Sequence, residues 1–174
     1  MQTVTPSAST AAVGGRFGLL TGLVSIIISF GIYALQLETY TAVRFLTTAV
    51  LAVGIILAMR SFKDQNAGFM GYGQGVGVGL VVSGVVGLLG GAFMYVYTTL
   101  VDPDVLMRMM DKARADMEAK GLADAQIDQA MALSGKFMNG PFMALSALLI
   151  TLFFGLAISL LAAAFVKNPK PEFE

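Results

Sequence analysis

The sequence predicts an all-α membrane protein, with four transmembrane helices and an extramembrane helical hairpin between the third and the fourth. Three observations predict it. The 174 residues are 56% hydrophobic and only 13% charged, far more apolar than a soluble domain of this length requires. Four apolar runs, at about 17–37, 42–59, 75–97 and 142–166, are each close to the length that crosses a bilayer. A polar segment, 98–141, separates the last two and carries helical periodicity of its own. Composition also excludes whole function classes. There is no cysteine and no histidine, which removes disulfides, thiolate and imidazole metal sites and every mechanism that needs either side chain. Formal net charge is zero and the basic residues form no run, so nucleic acid is not an expected partner. No cofactor or metal is expected.

Residues 1–16 are small and polar, and read as a flexible tail. The first span, Phe17 to Leu37, reaches roughly 30 Å at about 1.5 Å per residue, and is longer than the apolar core of a signal peptide. On it Gly15, Gly18, Gly22, Ser25 and Ser29 form a small-residue seam, a candidate to meet the third span. The connection to the second span, Ala42 to Met59, is so short that the two must be antiparallel. Glu38 and Arg44 flank this turn and suit an interfacial ion pair, which reads better as an anchor than as a functional pair because neither lies at membrane depth. Arg60 to Asp64 form a charged exit, and residues 65–73 a turn-prone linker.

The third span is the centre of the pattern. Gly75, Gly79, Ser83, Gly87 and Gly91 recur in fours, so one face of the helix is a groove nearly free of side chain that another helix must fill. Its glycine-rich start lacks both the spacing and the preceding strand of a phosphate-binding loop, so packing is the better reading. Asp102-Pro103-Asp104 then reads as a helix start, with Asp102 capping, Pro103 at the first helical position and Asp104 at the positive end of the dipole. This explains the only close carboxylate pair at a membrane surface better than catalysis does. The first loop helix places Leu106, Met109, Met110 and Met117 on one face, and Gly121 ends it. The second, from Asp124, carries Ile127, Met131 and Phe137. We take Leu106, Met109, Met110, Met117, Met131 and Phe137 as a partner-docking surface, since methionine suits adaptable contacts. The fourth span, Phe142 to Val166, again carries small residues in fours, Thr151, Gly155 and Ser159 among them. Residues 167–174 form a polar tail with two prolines.

An even number of spans puts both termini on one side. Arg16, Arg60, Lys63, Lys167 and Lys170 lie there close to the helix ends, which predicts cytoplasmic termini. Tyr33, Tyr40, Tyr95 and Tyr97 fall at the opposite interface as half of an aromatic belt.

Four segments in this order, Tyr72-Gly73-Gln74-Gly75, Asp102-Pro103-Asp104, Ala125-Gln126-Ile127 and the Ser159 to Lys167 close, resemble a bacterial four-span membrane family catalogued as domain of unknown function 4199. Ala123 stands where that family would lead one to expect a serine or threonine cap. The resemblance implies a multi-pass protein of the bacterial inner membrane and transfers no activity. From the residues themselves, the expected function is that of a non-catalytic accessory or scaffold subunit, assembling through its small-residue ridges as a homo-oligomer or with a membrane-complex partner. The alternative is a small oligomeric transporter or channel for a neutral or weakly charged solute. No span carries a central charge, which weighs against transport. A membrane enzyme would have to work without histidine or cysteine.

Overall fold

The structure is a computed structural model and describes residues 9–38 and 40–170. Residues 1–8 of the expected tail lie outside the described residues, and so does the Arg44 side chain of the expected Glu38–Arg44 pair. The described chain is helical throughout: α1 (Thr10–Ala34), α2 (Thr41–Gln65), α3 (Tyr72–Val96) running into a π-helical turn (Tyr97–Val101), α4 (Val105–Ala119), α5 (Asp124–Phe137) and α6 (Gly140–Val166). Four of these are long and apolar enough to cross a membrane, making this a multi-pass membrane protein with α4 and α5 as the hairpin between the third and fourth spans.

Helix α1 begins at Thr10, ahead of Phe17, so residues 10–16 are not part of a tail. Ser9 caps this start by accepting the Ala12 N–H at 3.3 Å. The added turns are held by packing, since Val13 is buried and Gly14 lies against Val78 and Val81 of α3. Composition alone missed this because small residues contribute little apolar surface of their own, while permitting an approach that buries the neighbour's.

Helix α3 is central. It packs on α6, α1 and α2, and α1 does not reach α6 to any extent. Its glycine groove is filled by α6, not by the α1 seam. A Cβ on Gly75 would meet the Ala163 Cβ at 3.0 Å, one on Gly79 would collide with Ser159, and one on Gly91 would lie 2.7 Å from the Ala144 carbonyl oxygen. The interlock is reciprocal, because a Cβ on Gly155 of α6 would collide with Ser83 of α3. Helix α1 uses its glycines on another face of α3, where Gly14, Gly18 and Gly22 accept Val81, Val85 and Leu89. Gly15 faces open space.

At the end of the bundle that carries the termini, Ile55, Met59 and Phe62 of α2 are buried with Met70, Val78, Val82 and Ala163. The α2–α3 linker closes this core by an antiparallel bridge from Met70 to Asn168, with N–H to carbonyl distances of 2.8 and 2.9 Å. The Asn168 side-chain amide donates to the Gly68 carbonyl, and Lys63 donates to the Val166 carbonyl that ends α6. These bonds satisfy carbonyls that a helix end and a turn would otherwise leave open. Part of the expected C-terminal tail is thereby tied to the fold.

Candidate functional site

The packing residues are the first part of the site. Gly75, Gly79, Ser83, Gly87 and Gly91 are all buried in α3, Gly155 and Ser159 in α6, and Gly18 and Gly22 in α1. The two buried serines would each carry an unsatisfied hydroxyl into a dry interface, but Ser83 donates to the Gly79 carbonyl at 2.8 Å and Ser159 to that of Gly155. Thr151 is half-buried, with its hydroxyl turned back to the Ala147 carbonyl.

The second part lies at the opposite end, where the hairpin leaves the bundle. Helix α3 widens there into the π-helical turn, closed by the Asp102 N–H to the Tyr97 carbonyl at 2.8 Å. Thr98, buried in this turn, donates to the Met94 carbonyl at 2.8 Å. Asp102 then takes an extended backbone (φ −146°, ψ 85°), and α4 begins at Val105. Arg108, one turn into α4, reaches both ways. Its Nη2 donates to Asp102 at 2.7 Å, and its Nε donates at 3.0 Å to Glu38, in the turn between α1 and α2. The Glu38 side chain is only 4% exposed, and its second carboxylate oxygen has no hydrogen-bond partner among the described residues. Arg108 holds the Asp102 carboxyl below the usual carboxylate range, helped by the N–H groups of Asp104 and Val105. The two carboxylates in turn raise the guanidinium pKa, so Arg108 is charged at any working pH.

Beside this triad the aromatic rings gather. Tyr33 stacks near Tyr97 with centroids 5.0 Å apart, Phe93 lies 5.5 Å from Tyr97, and Phe30 meets Tyr97 edge-on. Tyr33 donates to the Met94 sulfur at 3.4 Å. Tyr97 is therefore buried in the bundle and does not belong to a surface belt, whereas Tyr40 and Tyr95 are exposed. Tyr97 follows Gly91 and Met94 in helical register and so shares the buried face of α3, whereas Tyr95, two positions earlier, lies on another face. The Arg108–Glu38 contact was beyond sequence reasoning, since the two residues lie 70 positions apart with no local signal between them.

The hairpin forms the third part. Gly121, at φ +74°, ends α4 in a left-handed turn in which the Gly121 N–H bonds to the Glu118 carbonyl and the Leu122 N–H to that of Met117. Ala123 has no capping side chain, but the Gln126 side chain accepts the Ala123 N–H at 3.3 Å. Arg114 of α4 crosses to Asp128 of α5 at 2.6 Å. Helices α4 and α5 contact each other and make little contact with the spans. Of the six proposed docking residues, Met110, Met131 and Phe137 line an open apolar groove of about 280 Å³, joined there by Met138, Phe142 and Met143. Leu106, Met109 and Met117 are half-buried and lie outside it. Three of the six therefore share this groove. Among the described residues no group of acidic side chains is arranged to hold a metal ion.

No curated protein and no solved structure matches the chain. One family model does, over residues 16–168, which takes in all four spans almost entirely, the ion triad and the hairpin. The chain belongs to the family described as Protein of unknown function (DUF4199).

Proposed function

We propose that this protein is a non-catalytic accessory or scaffold subunit of a bacterial inner membrane, with cytoplasmic termini and the hairpin on the far side. The observation that carries the reading is the hairpin's attachment: an amphipathic two-helix unit, hardly packed on the spans, is held at its root by Arg108. A loop of this length is far longer than neighbouring helices need to be joined. Its exposed apolar side chains, Met107 at 64% and Leu133 at 56%, are surface on offer to a partner. The Met107→Ser, Leu133→Ser double variant should keep the melting behaviour of the wild type while losing what co-purifies with it from native membranes in mild detergent. A variant that retains every wild-type partner removes the reading. Because there is no native cysteine, single cysteines at Ser61 and Ser134 test the topology, and should label from opposite sides with an impermeant thiol reagent.

One observation favours a second reading, a small oligomeric transporter for a neutral or weakly charged solute. Glu38 presents a buried carboxylate oxygen with no hydrogen-bond partner among the described residues, beside a π-helical turn, a distortion frequent at functional sites. Flux of small neutral solutes through reconstituted vesicles, altered by Glu38→Gln, would support it; no flux above empty vesicles would remove it.

A further inference from the structure

We propose that the groove between the hairpin and the start of α6 is a binding site for the acyl chain of a phospholipid from the adjoining leaflet. Its walls come from three helices and the link before the last: Met110 of α4, Met131 and Phe137 of α5, Met138, and Phe142 and Met143 of α6. No ionisable side chain lines it, and Ser134 supplies its one side-chain hydroxyl. A peptide or a polar ligand would bring backbone or head groups needing hydrogen bonds that such walls cannot return. An alkyl chain needs none. Methionine, unbranched and polarizable, adapts to a chain of variable contour.

The choice of occupant rests on continuity with the bilayer. Phe142, Leu145, Leu149 and Phe153 stand at steps of three and four along α6, hence on one helical face, and all are exposed, at 40%, 53%, 57% and 69%. In a membrane-spanning helix such a stripe faces lipid. Phe142 ends that stripe and is at the same time a wall of the groove, paired with Phe137 at a ring distance of 4.9 Å. A chain lying along the stripe runs directly between α5 and α6. Occupied in this way, the groove ties the hairpin to the bilayer surface on the side away from its root, a second tether beside the Arg108 network. The inference is independent of any protein partner, because it concerns these inner walls and not Met107 or Leu133.

The chain contains no tryptophan, so single tryptophans report without background. We would place one at Met138, and separately at Met131, in the full-length protein reconstituted into phosphatidylcholine vesicles with brominated acyl chains, which quench indole on contact. Leu149→Trp gives the fully lipid-exposed reference and Leu122→Trp the hairpin tip. Both groove reporters should lose most of their emission, comparably to Leu149→Trp, while Leu122→Trp loses little. Groove reporters quenched no more than the tip overturn the proposal; aqueous acrylamide then tells a water-filled groove, which it quenches, from one filled by protein, which it does not. Equal strong quenching at the tip also overturns it, since the hairpin would then simply lie on the bilayer.

Discussion

The α3–α6 seam and the α4–α5 hairpin are both antiparallel helix pairs, yet they are held by opposite means. In the seam, glycine and serine alternate across the interface so that backbones approach closely, and each buried hydroxyl is satisfied within its own helix. Dispersion over many close atoms is the binding force, and it requires that nothing protrude. In the hairpin, side chains stand outward, Arg114 pairs with Glu118 and Asp128, and Lys112 with Asp116, all exposed and weak in water. The ionic tie of the hairpin to the bundle, among the described residues, is one guanidinium between two carboxylates, with the Phe137–Phe142 ring contact as an apolar one beside it. The seam thus fails when something is added, and the hairpin's root fails when something is removed.

The largest effect should come from adding bulk to the seam. Gly79→Leu drives a side chain into Ser159 and toward Ile55 and should prevent the native α3–α6 contact. Even Gly91→Ala places a methyl 2.7 Å from the Ala144 carbonyl oxygen, where backbone must move, and should destabilise the bundle by about 1–3 kcal/mol. Thermal melting in detergent measures both.

A smaller change comes from titrating the hairpin's root. Arg108 lowers the Asp102 pKa from its ordinary value of 3.8, so the charged carboxylate is favoured in the tied state. That contribution is fully present above the ordinary value and is lost as the pH falls through the lowered one. A spin label on Ser134→Cys should therefore keep constant mobility from neutral pH down to about 4 and gain mobility only below it. A change near pH 6 would place control of the root outside Asp102.

The smallest effect is the control for the first. Gly77 sits on the same helix with open space at its Cβ position, so Gly77→Ala should leave melting unchanged or raise it by up to about 1 kcal/mol through helix propensity. If Gly77→Ala costs as much as Gly91→Ala, glycine serves α3 in some way other than close approach.

These contrasts explain what could be read in advance. The four spans follow from apolar length, and the groove of α3 from a glycine repeat in fours, both properties of a single segment. Which helix fills the groove is a property of pairs. The α1 and α6 sequences both carry small residues in helical register, and only the matching of Ser159 to Gly79 and of Gly155 to Ser83 singles out α6. The α1 glycines receive valine and leucine instead, a different packing from the same residue type. At the hairpin's root, Asp102 was legible as part of a helix start, but its pairing with Arg108, and that of Arg108 with Glu38, depends on how the π-helical turn aims α4. Tyr97 was misplaced for a different reason: its place near the end of a span did not show that Phe30 and Tyr33 of α1 cover it.

Hydrogen exchange of the reconstituted protein, wild type against Arg108→Ala, tests the central claim most directly. If the seam and the hairpin are independent units with Arg108 as their ionic tie, losing Arg108 should speed exchange across 105–137 several-fold and leave 75–91 and 144–163 at wild-type protection. Exchange rising together in the hairpin and the seam would contradict the account, as would a hairpin whose protection does not change.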